Sequence, residues 1–355
     1  MNTNKPKISI ILPIYNVEPY LRQALDSVKN QTLADIEIIC VDDCSTDNSL
    51  TILKEYAQND KRFIIIEQKE NKGQGFARNT ALNIAKGEVI MFLDPDDWYK
   101  PEACEKAYHQ IMKNNNDFVY MNYCFYVESG NKFEYQSGDY HLEGFLENLS
   151  NPNIKLWELN TNFWINVNTV CRAYKKEFLD KNNIKYDEDL RFCQDVSFFA
   201  KVLANAQSTS IISDVLYVIR TRANSASKTP KNYEGCIISR KRAYEIIKKS
   251  EHAEELLMPC LCYMLTVLKH FKRLTKLDNK IEKEFYNKMR EFFIFLDKNE
   301  NMEQIKNQSI FYENYKEIVK SPYYLYKFKR LFIYKDNNHI TIKLFGIKLN
   351  IKIKK

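Results

Sequence analysis

The chain has 355 residues, 45% apolar and 13% aromatic, which suits one large domain or two ordinary ones and excludes a disordered polypeptide. Its formal charge of +7 is uneven, because residues 1–100 are close to balanced while lysines dominate from Tyr323 to Lys352, Lys354 and Lys355. No apolar run approaches the ~18 residues of a membrane span, residues 1–7 lead into too short an apolar stretch for a secretion signal, and nine scattered cysteines without a Cys-x-x-Cys pair read as reduced thiols of a cytosolic protein.

Residues 8–12 read as a buried strand ended by Pro13. A helix is predicted over 19–31, with Leu21, Ala24, Leu25 and Val28 on one face. Residues 36–41 form a second strand. Ser45 or Thr46 is expected to cap a helix running to about Asn59, with Ile52, Leu53 and Tyr56 inward. Residues 63–66 are the third strand, 73–86 a helix closed by Gly87, and 89–93 the fourth strand. This alternation predicts a parallel sheet with right-handed crossovers, in which ligands bind beyond the carboxyl ends of the strands. Asn16, Asp42 and Asp43, Asn71, and Asp94 and Asp96 stand at those ends.

A helix over 101–114 and a Tyr- and Phe-rich strand over 118–127 follow. Residues 128–160 are irregular and polar, a mixed region runs to about Ala226, and 233–320 are predominantly helical. Residues 256–265 are too short to span a membrane and read as a buried bundle helix or an interfacial one. Residues 340–353 alternate Ile or Leu with Thr, Lys or Asn about Phe345-Gly346, the pattern of a hairpin with a basic outer face. Such a tail can meet an anionic membrane, and no nucleic-acid motif accompanies it.

The tetrad Asp94-Pro95-Asp96-Asp97 follows the buried run 89–93. Carboxylates repel one another and resist desolvation, so their collection at a strand end points to a bound cation. Mg²⁺ or Mn²⁺ held by one or two carboxylates completes its shell with phosphate oxygens and water, which suggests a metal–diphosphate site at Asp94 and Asp96. The alternative is a solvated acidic turn with Asp97 capping the next helix. Five scattered histidines argue against a His-based metal site. Gly73 and Gly75 allow close backbone approach at a helix start, where N–H groups favour anions.

Four motifs in order, Ser9-Ile10-Ile11-Leu12-Pro13-Ile14-Tyr15-Asn16, Val41-Asp42-Asp43-Cys44-Ser45-Thr46-Asp47, Asn71-Lys72-Gly73 with Ala77-Arg78-Asn79, and Phe92-Leu93-Asp94-Pro95-Asp96-Asp97, resemble glycosyltransferase family 2. The similarity continues more weakly to about residue 228 and leaves the C-terminal helices uncovered. It implies a GT-A-like, Rossmann-type fold and an inverting, metal-dependent transfer from a nucleoside diphosphate sugar. On that resemblance, Pro13, Tyr15 and Glu18 line the base and ribose pocket, and Asp42, with Asp43 beside it, accepts the N–H of a uracil ring. Gly73 and Arg78 meet the diphosphate, Asp94 and Asp96 hold Mn²⁺ or Mg²⁺, and Asp97 touches the sugar or supports the metal site. Asp195 aligns with the catalytic base. Gln194 replaces the family's usual Glu, a departure that removes one negative charge beside the base. Tyr217 and Arg220, followed by Ser225, resemble a Tyr-x-x-Arg segment, with Arg220 or Arg222 directed to the diphosphate or an anionic acceptor or engaged in a structural salt bridge. Trp157, Trp164 and Asn168 fall where acceptor contacts often lie.

The expected architecture is an α/β domain over 1–228, with nucleotide-sugar binding in 1–100 and the acceptor side in 101–228. A helical region over 229–330 and a basic β-hairpin tail over 331–355 complete it. The expected function is sugar transfer from a UDP-sugar to a glycan or lipid-linked acceptor in bacterial surface polysaccharide synthesis, by a cytoplasmic enzyme touching the inner face of the membrane. A non-catalytic glycan- or nucleotide-binding scaffold and a sugar-nucleotide pyrophosphorylase are the alternatives. The pyrophosphorylase is disfavoured because the first strand ends in Pro-Ile-Tyr-Asn rather than a basic Gly-rich loop.

Overall fold

The computed structural model describes residues 5–134, 169–222, 233–265, 267, 279–306, 312–322, 333–335, 339–344 and 347–352. Expectations at Trp157, Trp164, Asn168, Ser225 and Phe345-Gly346 lie outside these residues. The chain divides into two compact units, 1–260 and 261–355.

In the first unit, β1 (Ile8–Ile14), β2 (Ile36–Asp42), β3 (Phe63–Glu67) and β4 (Val89–Phe92) are mutually parallel in the order β3-β2-β1-β4. Every residue of β1, β2 and β4 is buried, as expected for strands covered on both faces. The intervening helices are α1 (Glu18–Lys29), α2 (Ser49–Asn59) and α3 (Gln74–Ile84). The chain winds outward from β1 through β2 to β3, then returns to lay β4 on the other side of β1. That reversal is a switch point, where the loops after β1 and β4 part to leave a crevice.

Two boundaries differ from the sequence expectation, each for a local reason. Helix α2 starts at Ser49 rather than near Ser45, because residues 45–48 are tied to the loop after β1. Asn16 N donates to Ser45 Oγ (3.1 Å), Thr46 N to Asn16 Oδ1 (2.7 Å) and Glu18 N to Asp47 Oδ2 (3.0 Å). Asp47 Oδ1 then accepts from Ser49 N (3.0 Å) in the first turn. Helix α3 ends at Ile84, three residues before Gly87. Gly87 packs its Cα against β1, where a Cβ would lie 2.6 Å from the carbonyl carbon of Ile8. Its N–H donates to Ser9 Oγ (2.8 Å), whose hydroxyl donates to the buried Glu37 Oε1 (2.5 Å).

Beyond β4 the sheet becomes mixed. The strand β5 (Trp98–Tyr99) is followed by α4 (Ala103–Asn114), β6 (Phe118–Val127) and β7 (Lys132–Glu134). Then come β8 (Arg172–Lys175), α5 (Lys176–Lys181), α6 (Gln194–Asn205) and β9 (Thr209–Thr221). The order continues β4-β8-β6-β9-β5, with β8 antiparallel to both β4 and β6, β9 parallel to β6, and β7 paired on β6. Helix α7 (Tyr233–Lys248) lies against α6, with Ser239 Oγ donating to Cys193 O (2.6 Å) and accepting from Ser197 N (3.2 Å). Helix α8 (Ala253–Met264) follows, with Leu256 and Cys260 buried.

In the second unit, α9 (Asn279–Asn299) and α10 (Tyr312–Lys320) pack through Phe293 and Tyr315, whose rings meet edge-on at 5.3 Å. Tyr286 OH donates to Ser321 O (2.6 Å). The predicted alternation resolves into β11 (His339–Leu344) and β12 (Ile347–Lys352), paired antiparallel, with β10 (Ile333–Lys335) adding a third strand to β11.

Candidate active site

The carboxyl ends of β1, β2 and β4 carry the predicted polar residues. Pro13 is buried within β1, while the Tyr15 ring stands 47% exposed beside the crevice. Asn16 adopts a left-handed φ of 49°, which turns the chain sharply out of the strand. Glu18, expected in the base pocket, directs its carboxylate to Asn48 instead, accepting from the backbone N (3.1 Å) and from Nδ2 (2.8 Å).

Asp42 and Asp43 are adjacent but differently placed. Asp42 is 2% exposed; its Oδ2 accepts from Ser45 N (3.1 Å) and its Oδ1 is buried without a hydrogen-bond partner. Asp43 is fully engaged: Oδ1 accepts from Lys72 N (2.8 Å) and Oδ2 from Gly73 N (2.7 Å). Through these bonds it anchors the loop into α3. Burial pushes its pKa up, and the two backbone donors oppose this. Gly73 has φ +92°, and a Cβ there would lie 2.9 Å from Arg191 Nη1. Its N–H, expected on the diphosphate, is already given to Asp43. Arg191 in turn donates to Asn71 Oδ1 (2.8 Å) and Asn71 O (3.1 Å).

The centre of the site is a buried guanidinium between two carboxylates. Arg78 is 0% exposed, donating from Nη2 to Asp94 Oδ1 and from Nη1 to Asp195 Oδ1, both at 2.8 Å. The fork expected to meet the diphosphate is thus shared here between two carboxylates. Helix α3 holds Arg78 over the Tyr186 ring at 4.9 Å, where cation–π attraction adds to the ion pairs. Burial is the largest influence on Asp94 and pushes its pKa up to about 6, with Arg78 opposing. The neighbouring Asn79 pins the backbone of Tyr186, donating to its O (3.0 Å) and accepting from its N (2.9 Å). Arg78 and Asn79 thus join α3 to the segment that precedes α6.

Asp195 lies in the first turn of α6, after a left-handed Cys193 (φ 58°). Its Oδ1 also accepts from Thr169 Oγ1 (2.9 Å), and it caps no backbone N–H of its own helix. Gln194 is buried and donates from Nε2 to Gln74 Oε1 (2.9 Å), and Gln74 Nε2 donates to Asp94 Oδ1 (2.9 Å). The residue that replaces the usual Glu therefore joins a run of amides ending on Asp94. A carboxylate at 194 would need a donor from Gln74, and turning that amide would face its oxygen to Asp94. Gln74 and Gln194 match each other.

On the far side, Tyr217 and Arg220 both hold Asp97. Tyr217 OH donates to Oδ2 (2.8 Å) and Arg220 N to Oδ1 (2.8 Å). Burial next to Asp96 and Asp94 pushes the Asp97 pKa well up. Asp97 accordingly faces inward as the support of its loop rather than as a capping residue. The Arg220 side chain donates to Asp96 O (2.9 Å) and to Gln23, and packs over Tyr20, Trp98 and Tyr126. These contacts make Arg220 a brace between the loop after β4 and β9. Arg222 reaches Asp96 Oδ2 through Nη2 at 2.8 Å.

A divalent cation fits this donor set with limits. Asp94 Oδ2 and Asp96 Oδ1 make no hydrogen bond to the described residues, so each carboxylate retains one oxygen for a metal. Among the described residues no three His, Cys, Asp or Glu side chains form a closed cage. Two carboxylates with phosphate oxygens and water are the usual shell for Mg²⁺. Sequence reading missed Thr169, Tyr186 and Gln74. Gln74 lies in the gap between Gly73 and Ala77 of the third motif, but Thr169 and Tyr186 carry no spacing signal and join the site only through folding.

A family description, "Glycosyl transferase family 2", matches residues 9–182. The glycosyltransferase GlyG of Streptococcus pneumoniae serotype 4 is 33% identical over 225 residues, covering 62% of this chain and 73% of GlyG. The chain belongs to glycosyltransferase family 2. The minor teichoic acid biosynthesis protein GgaB of Bacillus subtilis is 28% identical over 367 residues, which cover 95% of this chain and 39% of that protein. The family 2 chain spans 64% and 21% of the length of two further curated relatives. The crystal structure of S. aureus TarS 1-349 in complex with UDP-GlcNAc superposes with a TM-score of 0.71 at 20% identity, covering 98% of this chain and 100% of that one. The fold is GT-A-like.

Proposed function

We propose that this chain transfers a sugar from a UDP-sugar to an acceptor hydroxyl, with inversion at the anomeric carbon, in the synthesis of a bacterial surface glycan. The observation that carries the donor assignment is the buried, unpartnered Oδ1 of Asp42 at the carboxyl end of β2. A buried carboxylate oxygen without a donor is costly, and the imide N–H of uracil supplies one. Pro13 and the exposed Tyr15 ring flank the same strand ends and suit the base and ribose. Asp94 and Asp96 would hold Mn²⁺ or Mg²⁺, which when bound offsets the charge developing on the departing diphosphate. Asp195 would take the acceptor proton, and Arg78 keeps the carboxylates at both sides of the site in place.

The uridine donor is supported by the TarS complex with UDP-GlcNAc, and the surface-polymer setting by the name of GgaB. No described helix is long and apolar enough to cross a membrane. The proposed location is the cytoplasmic side, with the basic tail over 331–355 at the membrane surface. The catalytic part is assigned to 1–228.

Thermal unfolding with UDP, GDP, CDP and dTDP, each with and without Mn²⁺, tests the reading. A ligand at a hundredfold excess over Kd stabilises by ~2.7 kcal/mol. The expected outcome is a Mn²⁺-dependent shift with UDP and none with GDP or CDP, lost in Asp42→Asn. No shift with any nucleotide makes the non-catalytic scaffold the better reading.

A further inference from the structure

We propose that Thr169 and Tyr186 are positioning residues that lock Asp195 so that Oδ2, and not Oδ1, receives the acceptor proton. The proposal rests on the reading of Asp195 as the base. Asp195 Oδ1 accepts two donors, Arg78 Nη1 at 2.8 Å and Thr169 Oγ1 at 2.9 Å. A carboxylate is acceptor-only, so the single hydroxyl hydrogen of Thr169 is committed to it. The Thr169 oxygen then accepts from Tyr186 OH at 2.7 Å. The direction of every bond is forced, from Tyr186 to Thr169 to Asp195.

Each member is itself fixed. Thr169 is buried, and its carbonyl accepts from Tyr174 OH (3.2 Å). Tyr186 is stacked on Phe198 at 4.2 Å and 16°, lies beneath Arg78, and is clamped at its backbone by Asn79. The carboxylate cannot rotate about χ2 without breaking two charge-assisted bonds at once. Oδ2 makes no hydrogen bond to the described residues, and the Asp195 side chain is 29% exposed.

In the transfer step the acceptor O–H breaks and its proton bonds to Oδ2. The oxygen's electron pair forms the new bond to the anomeric carbon, and the bond from that carbon to the diphosphate breaks with its pair leaving on UDP. Placement of one oxygen matters here, because a misplacement of about 1 Å lowers a rate by up to about a hundredfold.

The test is UDP release from UDP-N-acetylglucosamine, UDP-glucose and UDP-galactose with Mn²⁺, to water and to added acceptor sugars, for the wild type and variants. Thr169→Val keeps the shape and removes the hydroxyl; kcat is expected to fall about ten- to a hundredfold with KM within about twofold. Thr169→Ser, which restores the hydroxyl, recovers most of kcat. Tyr186→Phe leaves Thr169 unsupported and gives an intermediate loss. A Thr169→Val enzyme with wild-type kcat, while Asp195→Asn is inactive, overturns the proposal and leaves the base standing. An Asp195→Asn enzyme with wild-type kcat removes the base and the proposal together, as does a wild type that releases UDP from none of the three sugars. Should Thr169→Val fail to fold, Tyr186→Phe decides: reduced kcat at unchanged KM supports the lock, and wild-type kcat overturns it.

Discussion

Replacing Arg78 with Met tests the most consequential contact in the molecule. The substitution keeps most of the side-chain volume and removes the guanidinium from between Asp94 and Asp195. Two charge-assisted hydrogen bonds at 2.8 Å are lost, each worth ~1.5–3 kcal/mol. Breaking a buried ion pair by removing one partner costs about 3–5 kcal/mol, because the partner's charge is left uncompensated. Asp94 and Asp195 keep side-chain exposures of 30% and 29%, so water re-solvates part of each carboxylate. The net expectation is about 3 kcal/mol, the low end of that range. Trp98 lies in the 1–260 unit and no tryptophan follows residue 164 in the sequence. Urea unfolding followed by tryptophan fluorescence therefore reports on that unit, and the shift in midpoint at constant m measures the loss. Adding Asp195→Asn to Arg78→Met should return roughly 1–3 kcal/mol through the coupling of the pair. A loss below about 1 kcal/mol with no coupling would refute the argument that Arg78 braces the two carboxylates, since a surface ion pair contributes no more than that.

Three further outcomes follow from particular contacts. Gly87→Ala forces a Cβ to within 2.6 Å of the Ile8 carbonyl carbon, so β1 must shift; a loss of at least about 2 kcal/mol is expected by urea unfolding, and an unchanged midpoint would show that the strand yields freely. Protons and Mn²⁺ compete for Asp94, whose pKa is raised to about 6, so Mn²⁺-dependent UDP binding should weaken as pH falls through that value; titration calorimetry between pH 5 and pH 8, showing constant affinity, would count against Asp94 as a ligand. Removal of residues 331–355, with their run of lysines, should lower the fraction sedimenting with anionic vesicles. An unchanged fraction would remove the tail from the membrane.

Periodicity sufficed to read the first four strands and three helices. Each strand there is dominated by apolar residues and each helix carries buried residues at helical spacing, so local burial dictates local structure. The short strands β5 and β8 escaped notice because neither carries an apolar run: β5 has two residues and β8 is Arg-Ala-Tyr-Lys; they exist as an edge and a filler of a sheet that other elements define. The polar cluster at the strand ends was legible for a related reason. In a parallel sheet, chain direction alone brings Asp42 and Asp94 to one rim.

What each polar residue does there was decided by the tertiary structure. The family resemblance implies nucleotide contacts for Arg78, Asp43, Gly73 and Glu18, and in the structure each is directed to a protein partner that lies close only in the fold. Arg78 meets Asp195 across 117 positions, and Tyr217 meets Asp97 across 120. Hydrogen bonding is directional and reaches about 3 Å, so it depends on the final placement of side chains rather than on the residue types. The residue types at the rim were therefore determined by the sequence, and the protein partner each of them meets was determined only when the chain closed upon itself.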